Sequence, residues 1–178
     1  MPIAIPRVPL DMLREEVRVA SWFAALGDEF TDGDLADARA YVDATGVVRM
    51  RSWPEAEAFL KSADTSLDWW DREEALRKAF LAEAEGRYPQ RALWTALTEL
   101  TTETGDLVHG KAATAAMRAG NAAAASVHVA AGAASQAVYQ LAVARLAGHP
   151  ASPFEAKFRL FSAGRWPLGI AGPNLVLF

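Results

Sequence analysis

The sequence predicts a mainly all-α protein, a multi-helix bundle around an alanine-rich helical hairpin, with room for one short two-stranded β pairing. Three observations carry this. Between Ala112 and Gly148, 17 of 37 residues are alanine, and Gly120-Asn121 supplies a turn in their midst. Elsewhere apolar residues recur at steps of 3 and 4, the period of a helix with one buried face. Hydroxyl and acidic residues also stand where helices would begin, as in Thr31-Asp-Gly-Asp34.

The elements follow in chain order. Residues 1–9 contain Pro2, Pro6 and Pro9 and read as an extended arm. Helix is expected from Leu10, where Leu10, Leu13, Val17, Ala20 and Ala24 make an apolar stripe, to a C-terminal glycine at Gly27. Thr31 caps a short helix carrying Leu35, Ala38 and Tyr41, closed by Gly46. Val47 to Trp53 partly alternates and is the strand candidate of the first half. Pro54 suits the first turn of another helix through Lys61.

Thr65-Ser-Leu-Asp68 resembles a second capping box, opening a helix that runs past Trp69, Trp70, Leu76 and Phe80 to Gly86. From Pro89, the positions Leu93, Leu97, Leu100, Thr104, Leu107 and Lys111 form a heptad stripe. Thr101, Thr102, Thr104 and Gly105 should weaken its middle, so a kink or break is expected there. The second arm of the hairpin carries Val127, Ala131, Ala134, Val138 and Leu141 at heptad spacing. A last short helix from Ser152 buries Phe154, Phe158 and Phe161, and residues 166–178 are too apolar for a free end. Leu175 to Phe178 could pair with the strand near Val48.

Length and composition narrow the function classes. A chain of 178 residues, 52% apolar and 22% charged, suits one globular domain, residues 1–178, with a real core. It has no cysteine, which removes disulfides, thiolate metal sites and a cysteine nucleophile. The first residues lack a signal-peptide pattern, so a cytoplasmic location is the expectation. The apolar stretch from Asn121 to Leu146 is interrupted by polar residues and consists largely of alanine, so no membrane is expected as a partner.

The net charge of −4 is unevenly spread. Residues 1–106 hold 12 Lys/Arg and 21 Asp/Glu, whereas residues 107–178 hold six bases and the single acid Glu155. Such polarity could join the basic part of one copy to the acidic part of another.

Two side-chain constellations merit a functional reading. Glu103, Asp106 and His109 lie three residues apart, and the hairpin turn would bring His128 to the height of His109. Carboxylate–histidine sets of this kind bind metal in helical bundles, although a full site needs more acids than the second arm offers. Lys157, Arg159, Arg165 and Trp166 interleave with phenylalanines, a mixture that can track phosphates and stack bases. The 4, 3 spacing of the phenylalanines instead suggests a core face with Lys157 and Arg159 on other, solvated sides. Nucleic acid is accordingly not the expected partner.

Other matches are weaker. Gly105 to Ala112 approaches a phosphate-binding loop but lacks the hydroxyl after Lys111 and the preceding strand. Acid pairs such as Glu15-Glu16, Glu83/Glu85 and Glu99/Glu103 read as solvated helix faces. Trp69 and Trp70 point about 100° apart on a helix, so one should pack inward and the other cover a boundary. The leading expectation is a non-enzymatic, self-associating interaction or scaffold protein with no cofactor. The first alternative is a small-ligand or metal-binding bundle using Glu103, Asp106, His109 and His128, and the second is nucleic-acid association through Lys157, Arg159, Arg165 and Trp166.

Overall fold

The computed structural model describes residues 6–62, 67–120 and 123–178. Among them are seven helices and a three-stranded sheet: α1 (Asp11–Val19), α2 (Asp32–Tyr41), β1 (Gly46–Arg49), α3 (Trp53–Lys61), α4 (Leu67–Glu85), α5 (Gln90–Arg118), α6 (Ala124–Leu146), α7 (Pro153–Ser162), β2 (Pro167–Ala171) and β3 (Asn174–Leu177). The architecture is the mainly helical bundle that the sequence predicts. Three expectations fall wholly or partly outside the described residues: the extended conformation of residues 1–5, the Thr65–Ser66 cap and Asn121 of the hairpin turn.

The alanine-rich hairpin is α5 and α6, and α6 is the axis of the molecule. It packs along α5 and is flanked by α4 and α7. Val127, Ala131, Ala134, Val138 and Leu141 are all buried, as their heptad spacing predicts. Beyond Val138 the burial spreads round the helix, with Gln140 to Ala144 all buried. A helix enclosed on every side must find partners inside the protein for any polar side chain it carries.

The kink expected in α5 does not occur, and the helix runs unbroken for 29 residues. Thr101 and Thr104 donate their hydroxyls to the carbonyls of Leu97 and Leu100 one turn back, at 2.8 and 2.7 Å. The polar groups are thus satisfied within the helix, while Leu93, Leu97, Leu100, Thr104 and Val108 stay buried along one side. Packing against α6 overrides the local propensity.

The first helix also departs from expectation, ending at Val19 and not at Gly27. The next residues turn inward so that Trp22 and Phe23 pack edge-on or tilted against Phe158, Phe161 and Trp166. Trp22 Nε1 donates to the Val17 carbonyl at 2.8 Å, closing the end of α1. Burying two large rings outweighs two further helical turns. Gly27 does adopt the left-handed conformation, with φ of +80°, but in the loop, where an added Cβ would stand 2.8 Å from the Arg51 carbonyl oxygen.

Thr31 forms the predicted capping box: its hydroxyl accepts from Asp34 N and its own N–H donates to the Asp34 carboxylate. The strand near Val48 pairs in parallel with the C-terminal strand, Val48 opposite Val176. The pairing is wider than expected, because β2 adds an antiparallel third strand and places β3 in the centre. Side chains on β3 alternate between two cores. Val176, like the adjoining Phe178, joins the main core with Trp53 and Trp166, whereas Leu175 and Leu177 join Tyr41, Trp69 and Leu160 in a smaller one.

No described helix is long and apolar enough to cross a membrane.

Candidate functional site

The smaller core holds a group of buried polar side chains drawn from four helices. Tyr41 ends α2, Glu73 lies one turn after Trp69 on α4, Gln140 is on the enclosed part of α6, and Lys157 is on α7. Lys157 Nζ donates to Glu73 Oε1 at 2.7 Å and to Gln140 Oε1 at 2.8 Å. Gln140 Nε2 donates to the same Glu73 Oε1 at 2.8 Å, and Tyr41 Oη donates to Glu73 Oε2 at 2.5 Å. The ammonium also lies 5.7 Å from the Tyr41 ring centre and 5.9 Å from that of Trp69, within cation–π range.

Every member of this group has a partner. Among the described residues Ser152 Oγ is the buried side-chain polar atom left without one. Burial pushes the Lys157 ammonium below its ordinary pKa, and Glu73 opposes that shift by favouring the charged form. Tyr41 is held well above the ordinary tyrosine value, first by burial and then by the Glu73 charge and hydrogen bond. The tyrosine therefore stays neutral and keeps its proton, which it donates in a hydrogen bond to Glu73.

Two members of the group reach a cleft. Its volume is about 300 Å³, and its wall includes Tyr41, Trp69, Glu73, Leu76, Phe154 and Ile170. Spacing of 4 and 3 puts Trp69, Glu73 and Leu76 on one face of α4. The turn between β2 and β3 contributes Gly172 and Pro173, and the loop after α2 contributes Val42, Asp43 and Ala44. Arg72 and Asp43, both exposed, give the rim one charge of each sign. The cleft thus combines apolar walls, the hydrogen-bonded Tyr41 and Glu73 side chains and a charged rim, a mixture that small-molecule sites use.

The structure brings His109 and His128 together, with ring centres 4.9 Å apart and planes tilted by 44°. Both are exposed on the outer edge of the hairpin. It does not add the acids. Glu103 pairs with Arg14 of α1 at 3.2 Å, and among the described residues no three histidines or carboxylates converge as metal ligands. The expected four-residue set is reduced to a pair of imidazoles, short of what a structural or catalytic zinc site requires.

The basic–aromatic segment is a clearer correction. Lys157, Arg165 and Trp166 are 4%, 2% and 1% exposed. Arg165 latches the loop before α2, donating to the carbonyls of Ala25, Asp28 and Glu29 at 2.5–2.7 Å and to Asp34 Oδ2 at 3.1 Å. Trp166 packs on Trp53 and Phe178. Arg159 alone remains at the surface, and it pairs with Asp37 at 2.7 Å. Lys157 lies on the buried face and not a solvated one, because three residues turn a helix by about 300°, which leaves it only about 60° from Phe154.

The weaker matches resolve simply. Residues 105–112 lie within α5 and form no loop. The acids read as solvated lie at intermediate or exposed positions, with Glu15 on Arg18, Glu16 on Arg145 and Glu83 on His149. Trp69 is buried and Trp70 is 43% exposed, the division expected of neighbours on a helix.

Tyr41, Glu73 and Gln140 had no place among the sequence candidates. Gln140 carried a readable signal, as the amide within the run Ala137 to Ala144, whose other residues are apolar or aromatic. Glu73 carried none, because it stands in the acidic run Asp71 to Glu74 and looks solvated.

Comparison with models of known protein families, with curated proteins and with solved structures finds no match to this chain. Function is therefore argued from the site alone.

Proposed function

We propose that this protein is a non-catalytic binding domain that takes a small, largely apolar molecule in the cleft between α2, α4, α7 and the β2–β3 turn. The observation that carries the reading is the buried Glu73–Lys157 pair, tied through Tyr41 and Glu73 to the wall of that cleft. A buried ion pair adds little stability over apolar side chains of similar volume. Its presence beside a cavity is better accounted for by the polar surface it offers a ligand. Binding is favoured over catalysis because the groups are engaged with one another. Glu73 accepts three hydrogen bonds, Lys157 directs protons to Glu73 and Gln140, and the Tyr41 proton is spent on Glu73.

The test is a screen of small fragments by thermal shift and calorimetry, on the wild type and on Ala44→Trp. Ala44 lies partly exposed in the cleft wall and outside the hydrogen-bonded group, so an indole there takes up the space while every side chain of the network is kept. Fragments that raise the Tm of the wild type and leave that of the variant unchanged support the reading. A screen with no binders, or binders unaffected by Ala44→Trp, overturns it.

Self-association as a scaffold is the second reading, and it rests on exposed apolar side chains. Met12, Trp94, Met117 and Val129 are 74%, 42%, 80% and 49% exposed. The uneven charge no longer supports it, because four of the six bases after residue 106 are paired within the chain. Arg145 meets Glu16 and Glu155, Lys157 meets Glu73, Arg159 meets Asp37, and Arg165 meets Asp34. A light-scattering mass equal to one chain across a wide concentration range removes this reading.

A further inference from the structure

We infer that the cleft selects a flat, neutral, one- or two-ring molecule whose inner edge carries an N–H donor, an inference that rests on the binding role proposed for the cleft. The argument begins with a valence count at its floor. An ionised carboxylate offers about four lone-pair positions. Glu73 Oε1 receives Lys157 and Gln140, while Oε2 receives Tyr41 alone. One acceptor position remains open on the oxygen next to Tyr41, itself part of the cleft wall. The Tyr41 oxygen adds acceptor capacity, whereas its single proton is already used. Lys157 and Gln140, the donors of the group, are not part of the wall. The hydrogen-bonded group thus offers the cleft acceptors and no free donor, with the donor Arg72 exposed at the rim, and it discriminates in favour of a ligand that donates.

Charge narrows the choice further. The Glu73 carboxylate and the Lys157 ammonium sum to zero, and Tyr41 is neutral. A ligand ammonium would lose its hydration here and meet no net negative charge in return. A neutral N–H loses far less. The walls set the shape, since the Tyr41 and Trp69 rings stand edge to face at 5.9 Å with Leu76, Phe154 and Ile170 around them. A cavity near 300 Å³ lies at the small end of the range for drug-sized molecules, which points to one or two fused rings.

The experiment compares indole with benzothiophene, a ring system of similar size and shape that lacks the N–H, by calorimetry on the full chain. Indole should bind the wild type at least tenfold more tightly, and both should be lost in Ala44→Trp. Tyr41→Phe removes the one donor to Glu73 Oε2 and leaves that oxygen in greater need of a ligand proton. The indole-to-benzothiophene preference should therefore grow by about threefold or more in that variant. Equal affinities in the wild type, both abolished by Ala44→Trp, overturn the donor inference and leave cleft binding standing. Failure of both probes to bind the wild type also overturns it, and the broader fragment screen then judges the cleft by itself. A preference that shrinks in Tyr41→Phe counts against it in the same way. Should Tyr41→Phe fail to fold, the wild-type comparison alone decides.

Discussion

The α5–α6 seam and the corner where α2, α4 and α7 meet α6 solve the same problem, burying surface, by opposite means. The seam uses small side chains. Ala112, Ala115 and Ala116 of α5 and Ala130, Ala131 and Ala134 of α6 are buried, and an added Cβ on Gly105 would lie 3.6 Å from Ser135 Oγ. Helices packed on alanine approach closely and leave no polar atom stranded. The corner uses Tyr41, Trp69, Phe154 and Leu160 around a buried carboxylate and ammonium, and large shapes meeting there leave a cleft. A dry seam supplies rigidity, and an imperfectly filled corner beside it supplies a place to bind. Close packing thus falls to the seam, and ligand capacity to the corner that Gln140 of α6 helps to tie together.

Substitutions should separate the two regions by size of effect. Glu73→Ala strands the Lys157 ammonium in an apolar corner with only Gln140 and two ring faces for company. The expected loss is about 3–5 kcal/mol, measured by urea denaturation. The double change Glu73→Leu with Lys157→Met removes both charges and should recover part of that loss, the remainder being the cost of leaving the buried Gln140 amide and Tyr41 hydroxyl without partners. A double variant as unstable as Glu73→Ala would mean that the corner depends on its charges for stability and not for polar surface. In the seam, Ala134→Leu inserts three carbons where the side chain is fully buried. It should cost about 1–3 kcal/mol through overpacking, and a smaller effect would show the seam to be looser than its alanines imply.

The contrast also explains what the sequence disclosed. The seam was legible because its logic is periodic. Heptad spacing named five of the buried positions of α6, Val127, Ala131, Ala134, Val138 and Leu141, and Thr31 marked a helix start by its capping chemistry. Even the pairing of Leu175 to Phe178 with the strand near Val48 followed from two apolar runs that needed partners, whereas its register came from the fold. The corner was illegible because its members come from four separate helices, and their meeting is a property of tertiary packing. Glu73 among acids and Lys157 among bases look like solvent-facing residues until each is seen to neutralise the other. The charge asymmetry was the faint trace of this. It reflects acids of the first half holding bases of α7 and of the connection after it, as in Asp34 with Arg165 and Asp37 with Arg159.

The alkaline limb of stability tests the electrostatics of the corner. Tyr41 is held above its ordinary value of 10.0 in the folded state. Below pH 10 the phenol is protonated whether the chain is folded or not. Above it the unfolded chain releases the proton while the folded one retains it, so stability falls as pH rises, by up to about 1.4 kcal/mol per pH unit. Lys157 pulls the other way, since its lowered pKa makes stability rise with pH toward its ordinary 10.5. Comparing the wild type with Tyr41→Phe largely cancels the lysine contribution. The advantage of the wild type should be constant from pH 7 to 9 and shrink above pH 10. A constant difference through pH 11 would place the tyrosine in water.

The smallest effect is expected at the histidine pair, where the seam meets solvent. His109 and His128 touch across the hairpin, yet both are exposed and lack converging carboxylates among the described residues. Contact between exposed rings adds little to folding, so His128→Ala should change stability by no more than about 0.5 kcal/mol. Two imidazoles also leave a metal ion with most of its coordination supplied by water. Zinc added at tenfold excess over protein should therefore raise the Tm by less than a fragment seated in the cleft. If zinc instead stabilises the wild type strongly and His128→Ala abolishes that gain, the balance between the two regions reverses. The hairpin edge, rather than the aromatic corner, would then be the place where this fold meets its ligand.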